Sequence, residues 1–400
     1  MKSALAAAGL SLALAMPAGA EPDPADWAAV TEEARGQTVY WNAWGGSDVV
    51  NGFIAWIGDR AEDQGVTLEH VKLTDTAEAV SRVLAEKTAG QDAGGGIDLI
   101  WINGENFAAM KAQGLLFGPW AEALPNRALT DPQNSALGAD FTVSTDGMES
   151  PWGMAQLVFF HDSARLPEPP RSMTALLDWA GENPGRIAFP QPPDFLGSSF
   201  LKQALIELTP DRDALSLPVD QADYAAVTAP LWAFMDALTP LLWRQGRAYP
   251  QNGARLIQLM ADNEIDIGFE FNPNAASNAI ANGQLPDTVR SHLHTGGTLG
   301  NASFVAIPYN ASAKAGAMVV ANILLSPEAQ ARMADPEIWG LGTVLDLTRL
   351  GAEDRARFER LTFGPATLPP DALGAPRPEP HPSWMVRLEE DWAARYGVAE

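Results

Sequence analysis

Three strand-like runs in the first third of the chain are each followed by a polar loop and then by apolar residues at helical spacing. The runs cover residues 38–41, 66–73 and 97–102, and the helical patterns begin near residues 49, 77 and 107. Alternation with a period of two is typical of strands, whereas apolar positions three and four apart are typical of amphipathic helices. Strands that alternate with helices in this way predict a doubly wound parallel sheet.

The third run is the most informative. Ile97–Ile102 is apolar throughout, and the polar sequence Asn103-Gly104-Glu105-Asn106 follows it directly. An uninterrupted apolar run indicates a strand covered by helices on both faces. Ligands of open α/β sheets bind at the carboxyl ends of such strands, so this loop is a candidate site. An ordinary solvated loop fits the same pattern.

The pattern changes after residue 147 and predicts a second α/β unit. Strands are expected at residues 155–160, 186–189 and 264–271, and a strand at residues 301–308 returns to the first unit. Two crossings between two lobes imply a hinge and a ligand-sized cleft. We therefore expect an α/β fold of two doubly wound lobes joined by hinge strands. Residues 21–152 with 302–400, including the C-terminal helices, form the predicted first lobe, and residues 153–301 form the second.

The charge of the chain limits its partners. The formal net charge is -24, and the acidic residues are scattered along the sequence. No basic region is concentrated enough to neutralise phosphates, which argues against a nucleic acid or an anionic membrane as partner. The chain has no cysteine and thus no disulfide or thiolate metal site. We expect a monomer.

The first twenty residues resemble a secretory signal. Lys2 precedes an apolar run over residues 4–15, and Ala18-Gly19-Ala20 supplies the small residues of a cleavage site. An apolar run of this length is too short to cross a bilayer. We expect residues 1–20 to be removed on export and the mature protein to be periplasmic.

Catalytic motifs do not appear in the sequence. It has no Gly-x-Ser-x-Gly, His-Glu-x-x-His or P-loop pattern among its residues. His292 and His294, two apart, would share one face of a strand, but no third ligand or carboxylate pair accompanies them. We expect no catalytic residues, no metal and no cofactor. A secreted enzyme of unknown reaction is the weaker alternative.

Several segments carry a family resemblance. They are residues 40–46, 70–80, 101–107, 242–250, 297–301 and 319–330. With these segments the chain resembles bacterial ABC-transporter solute-binding proteins of the two-lobe type II class, and most closely their YnjB-type branch. The resemblance implies a protein that captures a small solute between its lobes and delivers it to a membrane permease. Wider relatives bind thiamine, polyamines, iron or anions, so the fold does not choose the ligand.

Candidate ligand-binding residues occupy the loops and crossings that would face the cleft. They are Asn42, Trp44, Gly46, Ser47, Asp75, Thr76, Asn103, Glu105, Trp152, Asp194, Ser198, Trp243, Tyr249, Asn272 and Asn301. Aromatic faces can hold rings or organic cations, and the carboxylates favour a positive or hydroxyl-rich ligand.

Two local patterns qualify this list. Asp75 stands three residues before Glu78, which is also the spacing of a capping box at the start of a helix. Gly45-Gly46-Ser47 precedes a helix, where free N–H groups favour an anion. The aromatic loops and three acids favour a cationic or neutral organic solute, thiamine- or polyamine-like. An anionic or metal-chelate ligand is the alternative.

Overall fold

The computed structural model describes residues 21–397. It contains two separate hydrophobic cores, one in each lobe. The strands are β1 Thr38–Trp44, β2 Thr67–Leu73, β3 Leu99–Ile102, β4 Ala139–Asp140, β5 Val143–Ser144, β6 Glu149–Gln156, β7 Val158–Asp162, β8 Ile267–Glu270, β9 Val289–His292 and β10 Gly300–Ala306. The predicted signal segment, residues 1–20, lies outside the described residues.

Helices cover both sheets. They are α1 Trp27–Ala34, α2 Asp48–Glu62, α3 Ala77–Thr88, α4 Gly104–Ala112, α5 Met173–Glu182, α6 Phe195–Leu208, α7 Tyr224–Leu238, α8 Gly253–Ala261, α9 Ala275–Ala281, α10 Lys314–Leu324, α11 Pro327–Ala334, α12 Ala352–Glu359, α13 Pro370–Leu373 and α14 Pro382–Tyr396. Many begin at a capping side chain: Asp26, Ser172 and Ser326 accept hydrogen bonds from the first turns of α1, α5 and α11. Within residues 21–397, no helix has the length and apolarity needed to cross a bilayer.

The first lobe is built on a five-stranded sheet of order β2-β1-β3-β10-β6. Strand β1 runs parallel to β2 and to β3, whereas β10 is antiparallel to β3 and β6. The predicted parallel α/β unit is therefore confirmed, with a return strand, β10, inserted into it. Because β1, β2 and β3 are parallel, their carboxyl ends meet at one edge of the sheet.

The second lobe contains an antiparallel sheet of order β8-β7-β9. The strand predicted at residues 186–189 is not part of this sheet and forms only an isolated bridge between Ile187 and Ile267. Pro190, Pro192 and Pro193 follow immediately, and prolines lack the N–H group that would extend a ladder. The two-lobe α/β fold class predicted from the sequence is confirmed, although the strand predicted at residues 186–189 does not form.

Three segments cross between the cores. Leu157 joins β6 to β7, and Leu299 precedes β10 at the return crossing. A third crossing follows α12, because Trp384, Leu388 and Trp392 of α14 pack in the second core. Of the C-terminal helices, α10 and α11 pack in the first core as expected, whereas two tryptophans and a leucine on one face of α14 find their apolar partners in the second. Helix α14 also packs against α4 of the first lobe.

Candidate functional site

The loops after β1, β2 and β3 lie at one edge of the first sheet, facing the second lobe. Helix α4 begins directly after β3, and its first residues are fixed by polar contacts. Asn103 Nδ2 donates to the carbonyl of Ala302 at 2.6 Å, and the Gly104 N–H donates to Asp140 Oδ2 at 2.6 Å. Gly104 has a φ of 58°, and a Cβ at this position would lie 2.9 Å from the Phe141 ring. The close packing at glycine fixes the turn that presents Glu105.

The second lobe brings a buried lysine to the same place. Lys202 lies on α6, and only 1% of its side chain is exposed. Its Nζ is 2.8 Å from Glu379 Oε2, 4.6 Å from the centre of the Phe141 ring and 5.5 Å from that of Phe195. The ammonium is therefore held between a carboxylate and two aromatic rings, which are the usual partners of a desolvated cation.

The charge of this lysine acts on three carboxylates, Glu105, Glu379 and Glu389, and a fourth, Asp140, interacts with Glu105 and Glu379; we term these four the cleft acid cluster. They come from α4, from β4, from the segment before α14 and from α14 itself. Ser198 on α6 donates its hydroxyl to Glu389 Oε1. Both lobes and the C-terminal segment thus contribute to one site.

Burial is the main influence on the titration of the cluster. It raises the pKa of Glu105 to about 7, and the charges of Glu389 and Asp75 act in the same direction, while Lys202 opposes them. Burial also raises the pKa of Glu379 and of Glu389, against the lowering effect of Lys202. The raised carboxyl pKa values mean that neighbouring positive charges and hydrogen bonds do not fully stabilise the anionic forms. A cation that enters the cleft could stabilise these forms.

Asp140 extends the cluster into the first lobe. Burial raises its pKa well above the usual range, and the Glu105 charge adds to this effect, while the Gly104 N–H opposes it. Burial likewise raises the pKa of Glu149, which lies behind Asp140 at the start of β6. Asp140 Oδ1 and both Glu149 oxygens have no hydrogen-bond partner among residues 21–397. Burial therefore favours the neutral form of both of these carboxyl groups.

A second acidic pair lies on the second lobe. Asp194 caps α6 by accepting from the N–H groups of Leu196 and Gly197. Burial raises the pKa of Glu270, at the end of β8, to about 7, and the Asp194 charge acts in the same direction. The rings of Phe195 and Phe271 contact each other beside this pair, with centroids 5.0 Å apart.

The structure brings together several residues predicted from the sequence. Glu105, Asn103 and Ser198 contact the cleft acid cluster or belong to it, and the Asp75 charge acts on Glu105. Asp75 also makes local bonds one residue before Thr76, the N-cap of α3: its N–H donates to Glu78 Oε1 at 3.1 Å, and its Oδ1 accepts from Ala77 N at 2.8 Å. The contact between Asp75 and Glu78 that the spacing predicts is therefore present, but only half of the capping box forms.

Three aromatic candidates lie elsewhere. Trp152 is fully buried in the first core, with its ring 4.9 Å from Trp101 and 5.8 Å from Trp41. Trp243 is buried in the second core and donates its indole N–H to Glu264. The structure does not place Trp152 or Trp243 in the cleft, because each ring is enclosed by the core of its own lobe.

Tyr249 is also a packing residue of the second lobe. Its ring lies 5.4 Å from Phe189 and 5.1 Å from Trp392. Burial raises the pKa of its hydroxyl to about 12. The ring packs α14 against the second lobe, and the contact with a ligand stays a prediction.

The other candidates lie at the sheet edge or at the crossings. Trp44 is 42% exposed, and its ring covers Gly46. Around them, Ser47 caps α2, Thr76 donates to the Trp101 carbonyl and Asn42 is buried within β1. At the crossings, Asn272 Nδ2 donates to the Trp339 carbonyl and Asn301 pairs with Ala155.

Sequence reasoning missed Lys202, Asp140, Glu379 and Glu389. A signal for Lys202 exists, because every residue from Leu196 to Ile206 is buried, and a lysine within such a helix needs a partner. Asp140 lies far from Glu379 and Glu389 in the sequence, and none of the three follows a predicted strand, so only the fold brings them together.

The histidines form a separate cluster in the second lobe. His161 Nδ1 is 3.0 Å from His292 Nδ1, and His294 Nδ1 contacts Glu207 Oε1 at 2.5 Å. Among residues 21–397, no three or more His, Asp or Glu side chains are placed to hold a metal ion.

A two-lobe α/β protein with a polar cleft between lobes that are joined by crossing strands belongs structurally to the periplasmic binding class. The model of the bacterial extracellular solute-binding protein family matches residues 55–347. The chain is 45% identical to Protein YnjB of Escherichia coli strain K12 over 374 residues, which cover 93% of this chain and 94% of that protein. The chain belongs to this solute-binding protein family.

Solved structures share the fold at low sequence identity. The periplasmic binding protein AfuA from Actinobacillus pleuropneumoniae, with fructose-6-phosphate bound, has a TM-score of 0.62 and 14% identity, covering 91% of this chain and 99% of its own. A putative spermidine/putrescine ABC transporter protein from Listeria monocytogenes has a TM-score of 0.61 and 17% identity, covering 90% and 98%. The protein is the solute-binding component of an ABC transporter, and its family is extracellular.

Proposed function

We propose that this protein captures an organic cation in the cleft between its lobes and delivers it to its membrane permease. The observation that carries the proposal is the cleft acid cluster, in which carboxylates of the first lobe and the C-terminal segment gather around one lysine of the second lobe. Carboxylates held in a desolvated cleft favour a cation that can satisfy them all.

The surroundings of the cluster support an organic cation over a bare metal ion. Phe141 and Phe195 bring ring faces within 4.6 and 5.5 Å of the ammonium of Lys202, where a ligand ammonium could also be held. Ring faces attract alkylammonium groups through their quadrupole and also pack against the attached methylenes. Thiamine-like and polyamine-like molecules both combine these features.

The anionic alternative rests on the glycine loop before α2. The Gly45 N–H already donates to the Leu73 carbonyl, and the Ser47 hydroxyl accepts from the Val50 N–H. Two of the groups that would have to serve an anion are therefore engaged within the protein. For this reason we propose that the ligand is a cation and not an anion.

A thermal-shift screen tests the proposal, with calorimetry for every hit. The probes are thiamine, putrescine, spermidine and choline as cations, and inorganic phosphate and fructose 6-phosphate as anions. A ligand at about 100 times its dissociation constant should stabilise the folded protein by about 2.7 kcal/mol. Hits confined to cations support the proposal, whereas tight binding of a phosphate compound and of no cation would overturn it.

Closure of the lobes is part of the same proposal. Leu157 and Leu299 lie at crossings where small changes in backbone angles could rotate one lobe against the other. X-ray scattering with and without a probe of proven affinity should show a more compact particle on binding. An unchanged radius of gyration at saturation would indicate a rigid pocket.

A further inference from the structure

The ammonium of Lys202 occupies a position suited to a ligand cation. It lies between Glu379 and the Phe141 and Phe195 rings, and these groups come from the first lobe, the second lobe and the C-terminal segment. Every residue of this helix from Leu196 to Ile206 is buried, and burying an ammonium is costly unless it is paired, so packing alone does not require a charge there. The charge thus has a role in the cleft.

The pairing of Lys202 with Glu379 uses one carboxylate oxygen. Its Nζ lies 2.8 Å from Glu379 Oε2, within hydrogen-bond distance, whereas Glu379 Oε1 has no partner among residues 21–397. Both side chains are almost fully buried, with 1% and 2% of each exposed. A buried carboxylate oxygen without a partner retains the capacity to accept a hydrogen bond from a cation. Glu379 could therefore accept a ligand cation at Oε1.

We propose that Lys202 is a specificity-determining residue that sets the number of positive charges the ligand must carry. This inference rests on the proposed function. Lys202 neutralises one ionised carboxylate of the cluster and thus supplies one charge that the solute does not need to bring. Neutralising the lysine should therefore favour a solute that carries one more positive charge.

Charge-altering variants of the pair make opposite predictions. Lys202→Met keeps the length and the apolar stem, and should favour ligands with one more positive charge. Glu379→Gln keeps the shape and removes one negative charge, and should favour ligands with one fewer. The double variant restores the charge balance and should return to the preference of the natural protein.

Calorimetry with butylamine, putrescine and spermidine, which carry one, two and three ammonium groups, measures this preference. We expect Lys202→Met to raise the affinity for spermidine relative to putrescine at least tenfold, and Glu379→Gln to lower that ratio at least tenfold. The double variant should lie within threefold of the natural protein. Lys202→Arg keeps the charge, and Lys87→Met removes an exposed lysine that lies over Tyr309 outside the cleft, so both should leave the ratio unchanged.

The outcomes separate this inference from the proposed function. If the natural protein binds these amines and Lys202→Met leaves the ratio unchanged, the role given to Lys202 is overturned while the cation site stands. If the natural protein binds inorganic phosphate and none of the amines, both proposals fail, and loss of phosphate binding in Lys202→Met would make the lysine an anion partner. Should Lys202→Met fail to fold, Glu379→Gln and the double variant decide the matter.

Discussion

The N–H of Gly104 and the carboxylate of Asp140 are joined by a hydrogen bond of 2.6 Å that fixes the start of α4. The bond depends on the backbone of Gly104, whose φ of 58° is in the left-handed region. It also depends on close approach, since a Cβ would lie 2.9 Å from the Phe141 ring. One glycine therefore connects the position of Glu105 with that of a ring that contacts Lys202.

Replacing this glycine should be costly. Gly104→Ala must adopt a left-handed conformation, which costs roughly 1–2 kcal/mol, and must also displace the Phe141 ring. Gly94 is the matched control, because its φ is 68° and nothing lies within 4 Å of its added Cβ. In urea unfolding, Gly104→Ala should lose about 1–3 kcal/mol more than Gly94→Ala. Equal losses would mean that Phe141 moves aside freely.

Glu105 should contribute to binding and not to folding. Glu105→Gln keeps the shape and removes the charge, and we expect at least a tenfold loss of affinity for the cationic probe that binds best. Pairing inside a desolvated cleft corresponds to about 2–5 kcal/mol, against about 0.3–1 kcal/mol for an acid that only complements a helix dipole. The free protein should not lose stability, and above pH 7 it should gain some, because burial raises the pKa of Glu105 to about 7 and the glutamine carries no buried charge.

Asp48→Asn is the control for Glu105, because Asp48 is also an acid in the first turn of a helix. It should leave binding unaltered. Trp44→Ala tests the exposed ring beside the cleft and should cost about 1–3 kcal/mol of binding if that ring stacks on the ligand. Tighter binding of an anion by Glu105→Gln would reverse the sign of the proposed ligand.

Cation affinity should increase with pH. A bound cation favours the ionised form of Glu105, whose pKa is about 7 in the ligand-free protein, so binding must release the protons that this group holds below that pH. Affinity should therefore fall as the pH is lowered through 7, approaching tenfold per pH unit for each proton released. Calorimetry in two buffers of different ionisation enthalpy counts those protons. A pH-independent affinity between pH 5 and 8 would contradict the role of Glu105.

The sequence was sufficient to predict the strands of the first lobe and the loops at one edge of its sheet. Local periodicity predicts β1, β2 and β3 and the loops after them, and parallel strands must place those loops together, so Asn103 and Glu105 could be predicted. Asp140 and Glu379 could not, because each follows irregular backbone and reaches the cleft only through contacts distant in sequence. Trp152 was misplaced because an apolar ring next to a predicted crossing fits a core and a cleft equally well.

Glu270 offers a test of burial in the second lobe that is independent of the ligand. Its Oε1 accepts the Phe271 N–H at 2.8 Å, which favours the ionised form, but burial has the larger effect and raises the pKa to about 7. The corresponding value in an unfolded chain is 4.5. The folded protein therefore binds a proton that the unfolded chain releases, and its stability must rise as the pH falls from 7 to 4.5.

Glu270→Gln should accordingly stabilise the free protein at high pH. The side chain keeps its volume and an acceptor for the Phe271 N–H but no longer carries a buried charge. At about 1.36 kcal/mol per pKa unit, the gain at pH 8 should be roughly 3 kcal/mol, and it should vanish near pH 4. Glu182→Gln at the exposed end of α5 should change stability by less than about 0.5 kcal/mol at either pH. Urea unfolding at pH 8 and pH 4 measures the stability of both variants. A loss of stability in Glu270→Gln at pH 8 would contradict the prediction and would mean that the ionised carboxylate is stabilised by a positively charged partner.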